Sequence, residues 1–261
     1  MASMDPAELY LALIERCILG LIYEDTPIVA FNTLDAEGID LAPEKFDRQL
    51  RETGLDWPGQ AHSMIGLRRM DNVRHCVEQV LKDGVPGDLI ETGVWRGGTT
   101  IFMRAILKAH NVIDRTVWVA DSFEGVPAAN VEAYAADEEL ALLHGWNSVL
   151  GVSLDEVKRN FERYGLLDGQ VRFLEGWFKD TLPHAPIPTL AVLRLDGDLY
   201  ESTIDALSNL YPKLSPGGFC IVDDYNISAC AQAIADYRAA HGITDDIVDI
   251  DGLGVFWRRE A

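Results

Sequence analysis

Two acidic pairs stand where chemistry could be done. Asp196 and Asp198 close the run Leu190-Ala-Val-Leu-Arg-Leu-Asp196, and Asp223 and Asp224 close Gly218-Phe-Cys-Ile-Val-Asp-Asp224. Short apolar runs of this kind read as buried strands. Neighbouring strands in a parallel sheet lie about 5 Å apart, so both acidic ends would meet at one edge. Taken as having no arginine or lysine between them, four carboxylates repel or share a proton unless a cation sits among them. A hard divalent ion such as Mg²⁺, with Asp196, Asp223 and Asp224 as ligands and water or substrate oxygens in its other positions, resolves the conflict. One Asp-Asp at a strand end is more often only a helix cap, and it is the pairing of two such ends that points to metal.

A second group lies upstream, in Asp88-Leu-Ile-Glu-Thr-Gly-Val-Trp-Arg-Gly-Gly98, which is followed by a helical stretch, 99–110. An apolar run, a glycine turn and a helix is how a parallel strand passes into its crossover, and small ligands bind outside such strand ends. The dinucleotide pattern G-x-G-x-x-G is absent, because Trp95 stands two residues after Gly93. An acid such as Glu91 suits a sulfonium better than a pyrophosphate, which favours S-adenosylmethionine. Gly93, Gly97 and Gly98 are expected to let that ligand approach the backbone. Asp121, ending Arg115-Thr-Val-Trp-Val-Ala-Asp121, could accept from both ribose hydroxyls, or could merely cap the next helix. Gly176 and Trp177, after the strand 170–175, could lie against an adenine, although Trp177 reads equally well as core.

Together these residues suggest methyl transfer to an alcohol. A free hydroxyl is a poor nucleophile at neutral pH, and coordination to a metal lowers its pKa and fixes it in line with the S–CH₃ bond. Asp196 and Asp198 are the catalytic candidates, with Asp198 taking the proton. His144, in an aperiodic stretch, 126–150, that reads as a lid, is the alternative base, against a surface or packing role.

The scaffold for these groups is read from the whole chain. It has 261 residues, 48% hydrophobic and 25% charged, which suits one large α/β domain. Strands and helices alternate from 88 to 241, and 246–250 with 254–259 reads as a closing hairpin. The fold class is therefore a doubly wound α/β sheet with a terminal antiparallel hairpin, N-terminal helices over 1–66 and the lid. Ser153 with Glu156 forms a capping box for a helix, 153–164. A helix over 67–82 is closed by Asp83-Gly-Val-Pro-Gly87. The stretch 6–22 carries apolar groups on more than one face, as a helix would if it packed on a second subunit or on the sheet edge. A homodimer or larger homo-oligomer through that helix is expected. Residues 24–60 read as mobile cover.

A formal net charge of −20 argues against nucleic acid. No apolar run is long enough for a membrane helix, and the start, Met-Ala-Ser-Met-Asp-Pro, lacks a basic segment with an apolar core. Cys17, Cys76, Cys220 and Cys230 have no metal spacing and read as reduced thiols. The expectation is a cytoplasmic protein acting on a small molecule.

Several strings strongly resemble the macrocin O-methyltransferase family: Asp71-Asn-Val-Arg-His-Cys76, Glu91-Thr-Gly-Val-Trp-Arg-Gly-Gly98, Arg115-Thr-Val-Trp-Val-Ala-Asp-Ser-Phe123, Arg163-Tyr-Gly-Leu-Leu-Asp168, Gly176-Trp-Phe-Lys-Asp180, Arg194-Leu-Asp-Gly-Asp198 and Leu214-Ser-Pro-Gly-Gly218. The likeness covers nearly the whole chain. It implies a class I, Rossmann-like methyltransferase fold and methylation of deoxysugar hydroxyls on macrolide or aminocoumarin antibiotics, with S-adenosylmethionine and Mg²⁺. Cofactor contacts are implied at Ser63, Met64, Glu91, Gly93, Asp121, Ser122, Gly176 and Trp177, and a metal cluster at Asp196, Asp223 and Asp224. The lid departs from the macrolide branch, so the acceptor does not carry over. A catechol methyltransferase of the same fold, or a non-catalytic adenosyl-binding module, are the competing readings.

Overall fold

The computed structural model describes residues 5–31, 39–40 and 43–260. The first four residues, and part of the 24–60 cover, lie outside the described residues. In chain order the helix α1 (Pro6–Ile18) leads to strands β1 (Pro27–Phe31) and β2 (Ile39–Asp40), helix α2 (Arg48–Thr53), strand β3 (Asp56–Pro58) and helix α3 (Gly66–Lys82). Then come β4 (Asp88–Thr92), α4 (Gly98–Ala109) and β5 (Val117–Asp121). After these are α5 (Asn147–Leu150), α6 (Leu154–Arg163), β6 (Val171–Glu175), α7 (Phe178–Thr181) and β7 (Leu190–Leu195). The chain closes with α8 (Tyr200–Leu210), β8 (Leu214–Val222), α9 (Ser228–His241), β9 (Val248–Asp249) and β10 (Val255–Arg258).

Seven strands form the main sheet in the order β6-β5-β4-β7-β8-β10-β9. The first five run parallel, and β10 lies antiparallel between β8 and β9. This is the expected doubly wound sheet with its hairpin, and the class I methyltransferase fold. Alternation along each strand feeds two cores. Leu89, Val117, Val119 and Val192 face α1, α3, α4 and α6, while Ile90, Trp118, Ala120 and Leu193 face α8 and α9. The strand order reverses at the β4–β7 junction, so the carboxyl ends of β4, β5, β7 and β8 open on one crevice.

One expectation changes here. The N-terminal cover is not purely helical: β1, β2 and β3 form a small antiparallel sheet in the order β2-β1-β3. It is pinned by the fully buried Arg51, which meets Asp56 at 2.7 Å and donates to the Leu19 and Asp25 carbonyls. Strands of two to five residues leave too short a period to be read from sequence. One face of α1 packs on α4 of its own chain, with Leu11 and Ile18 inside, and Leu9 and Leu13 of its other side are 52% and 54% exposed. The stretch read as a lid holds 3-10 turns at Ala135–Leu140 and Leu143–Trp146 before α5. Ser153 does cap α6, accepting from the Glu156 amide. The four cysteines are free, and none of the described helices is long and apolar enough to cross a membrane.

Candidate active site

Register sets the acidic cluster. β7 and β8 pair Leu195 with Val222, which carries Asp196 and Asp223 out of the sheet side by side. One carboxylate oxygen from each of Asp196, Asp223 and Asp224 can be chosen so that all lie within 4.8 Å of one another. The expected convergence is therefore present, but the expected absence of basic partners is wrong. Arg194, fully buried in the centre of the sheet, donates to Asp196 at 2.7 Å and to Glu91 and Asp223 in shorter contacts. Arg69 of α3 reaches Asp223 at 2.5 Å and Asp251 at 3.2 Å. Arg194 lies within the very string that suggested the cluster. A guanidinium in the middle of an apolar strand is buried only with carboxylates around it, so Arg194 is itself the sequence signal for these partners.

Charge still does not balance. Glu91, Asp196, Asp198, Asp223, Asp224 and Asp251 face two guanidiniums. Burial pushes the carboxyl of Glu91 up to about 8, against the pull of Arg194 and with the push of Asp196 and Asp223. Burial and the neighbouring carboxylates also raise Asp196, Asp198 and, most strongly, Asp224. Asp224 has no basic partner among the described residues; it accepts only the Asp198 amide, at 3.1 Å. One Glu91 oxygen is buried with no hydrogen-bond partner among the described residues. Uncompensated carboxylate oxygens gathered this closely are a donor set that suits a hard divalent cation. Asp198 adopts a left-handed backbone, φ 54°, a conformation aspartate tolerates better than most residues and one that recurs at functional turns.

The donor side lies across the β4–β7 junction. At Gly93, φ is +83°, and a Cβ there would stand 1.7 Å from the Asp196 carbonyl oxygen. At Gly98 a Cβ would stand 2.4 Å from the His62 carbonyl oxygen. These glycines are required by close approach of the chain's own backbone, a more immediate reason than the expected approach of a ligand. Asp121 accepts from the Val94 and Phe123 amides, each at 2.7 Å. Neither amide begins a helix, so the capping alternative is not met; the carboxylate instead ties the turn after β4 to the turn after β5.

A cavity of about 600 Å³ joins the two sides. Ser63, Met64, Glu91, Gly93, Asp121, Ser122 and Trp177 line it with Asp196, Asp198, Asp223 and Asp224. Gly176 does not face it directly; its amide donates to the Asp121 carbonyl and aims Trp177 inward. His144 is exposed, bonded to the Ala141 carbonyl, and outside the lining. The alternative base is therefore misplaced in this conformation. Sequence reasoning missed an aromatic wall: Phe31 and Trp57 line the cavity and meet edge to face at 5.7 Å, with Leu55, Leu140 and Leu143 beside them, while Trp146 of the lid packs on Trp57 at 5.5 Å from outside the lining. Those residues come from the small sheet and the lid, whose packing no local pattern announces.

Comparison with known proteins agrees with this geometry. The sequence model of the family described as Macrocin-O-methyltransferase (TylF) matches residues 7–259. The chain is 59% identical over 257 residues to 8-demethyl-8-(2,3-dimethoxy-alpha-L-rhamnosyl)-tetracenomycin-C 4'-O-methyltransferase of Streptomyces olivaceus, covering 98% of this chain and 95% of that one. It is 54% identical to mycinamicin III 3''-O-methyltransferase of Micromonospora griseorubida over the full length of both. The solved structure of the O-methyltransferase NovP superposes with a TM-score of 0.89 at 54% identity, covering 98% of this chain and 100% of that chain.

Proposed function

Since the chain belongs to the macrocin O-methyltransferase family and is an O-methyltransferase, we propose that it methylates a deoxysugar hydroxyl of an antibiotic-type glycoside, with S-adenosylmethionine as donor and Mg²⁺ at Asp196, Asp223 and Asp224. The observation that carries the reading is the opening of the carboxylate cluster into the same cavity as Glu91 and Asp121. The Streptomyces olivaceus relative is named for a rhamnosyl-tetracenomycin acceptor and the Micromonospora griseorubida relative for the 3'' position of mycinamicin III, which supports the acceptor class.

In this reading Asp121 and Ser122 hold the adenosyl ribose, Trp177 covers the base, and Glu91 with the backbone at Gly93 faces the donor's amino acid portion. Ser63 and Met64 close that side from below. The cation, when bound, lowers the pKa of a coordinated acceptor hydroxyl. Asp198, its carboxylate raised in proton affinity by burial among like charges, takes the hydroxyl proton. The acceptor oxygen bonds to the methyl carbon as the carbon–sulfur bond breaks, leaving S-adenosylhomocysteine. The aromatic wall shields the reacting atoms from water and receives the apolar aglycone.

The decisive experiment offers the enzyme S-adenosylmethionine with a deoxysugar glycoside, and separately with a catechol, each with Mg²⁺ and with EDTA. Methylation of the glycoside that EDTA stops is expected. Methylation of the catechol alone would refute the acceptor class, and a rate indifferent to EDTA would refute the metal.

A further inference from the structure

The acidic strand ends of β7 and β8 lead directly into α8 and α9, and both helices start without a cap of their own. Leu199 and Ile227 occupy their N-cap positions, and neither side chain can accept a hydrogen bond. The first free amides of a helix need acceptors when they are not in water. Both sets of amides are met by the same short turn of the lid, Ala135–Leu140. Asp137, with no exposed surface, accepts from the Tyr200 amide at 2.6 Å and the Glu201 amide at 3.3 Å. Glu139, two residues on, accepts from the Ala229 amide at 3.0 Å and from the Ser228 hydroxyl. Tyr134 packs on Tyr200 with ring centroids 5.6 Å apart, and the Tyr200 hydroxyl donates to Asp236 of α9.

We propose that Asp137 and Glu139 are positioning residues that form a two-point latch: they cap α8 and α9 from the lid, so that closing the lid and fixing the two carboxylate-bearing loops are one event. Asp198 lies two residues before Tyr200, and Asp224 four residues before Ser228, so whatever holds the first turn of each helix holds the loop beside it. A negative side chain at a helix start is favoured by both the free amides and the helix dipole. The same turn places Leu140 on the cavity wall, so a lid that lifts removes one wall and two caps together. Neither carboxylate lines the cavity, and their part in the reaction is indirect.

Amide hydrogen exchange tests this on the free enzyme, whatever its acceptor. Independent caps and a coupled latch differ in the cross effect. Glu139→Ala, an exposed change that leaves the fold intact, is expected to speed exchange at Ala229 roughly tenfold, the size of a lost cap, and to speed Tyr200 and Glu201 as well. Asp137→Ala should do the converse, while Asp137→Asn, which still accepts, should restore most protection. Binding of S-adenosylhomocysteine should change less than twofold in Glu139→Ala, whereas KM for a glycoside the enzyme methylates should rise. Exchange confined to Ala229 in Glu139→Ala would overturn the latch even if the enzyme methylates a deoxysugar. Coupled exchange with no glycoside methylated would keep the latch and discard the function proposed above.

Discussion

Arg194 does at residue scale what the acidic side chains around it cannot do alone. Removing it would leave Glu91, Asp196 and Asp223 buried without their shared donor, the situation in which a broken buried ion network costs about 3–5 kcal/mol. Arg194→Met should therefore fail to accumulate as soluble protein, which fractionation after expression will show. Asp196→Ala keeps two other partners for Arg194, so it is expected to fold, to bind S-adenosylhomocysteine normally by calorimetry, and to lose activity roughly 1,000-fold. Asp121→Ala should instead weaken the cofactor roughly tenfold or more, the loss of a hydrogen bond to a charged group. A different carboxylate gives a pH test away from the site. Glu15 of α1 is buried beside Asp71, with burial first and that neighbour second pushing its carboxyl up to about 7. A folded-state pKa raised above the unfolded value means that its contribution is present in acid and is lost as pH rises through 7. Glu15→Gln should thus be more stable than the parent by about 2 kcal/mol at pH 8, with the difference shrinking toward zero at about pH 4, read from denaturant midpoints.

At the scale of elements, the sequence made the parallel strands legible because each is a short apolar run closed by an acid or a turn. It made α3 and α4 legible through their periods and α6 through its Ser153 cap as well. The small N-terminal sheet was not legible, since its stability comes from Arg51 bridging Leu19, Asp25 and Asp56, partners up to 32 residues apart. The same reason hid Arg69 from the acidic site, because pairing across elements leaves no local trace, whereas Arg194 stands in the strand itself as a lone guanidinium among apolar residues. The role of Gly93 also came from elsewhere, set by where β7 ends. Gly93→Ala is therefore predicted to destabilise by roughly 3 kcal/mol or more, through clash with the Asp196 carbonyl and an unfavourable φ together. A melting curve showing a shift of only a degree or two would contradict that reading.

For the whole molecule, binding at the carboxylate cluster and global stability are linked, because a ligand held only by the folded state raises its stability by mass action. Millimolar Mg²⁺ should raise the melting temperature of the parent by more than that of Asp224→Ala. The formal charge of −20 makes some nonspecific cation effect expected, and the variant removes it from the comparison. In the cavity wall, Phe31 and Trp57 hang from a separate three-stranded unit and Leu140 and Leu143 from the lid, whereas Arg194, Glu91 and the aspartates belong to the central sheet. Recognition and reactivity are thus built from parts with different neighbours, and a tailoring enzyme organised in this way can be given a new scaffold to decorate by exchanging its periphery, with the reacting centre inherited intact.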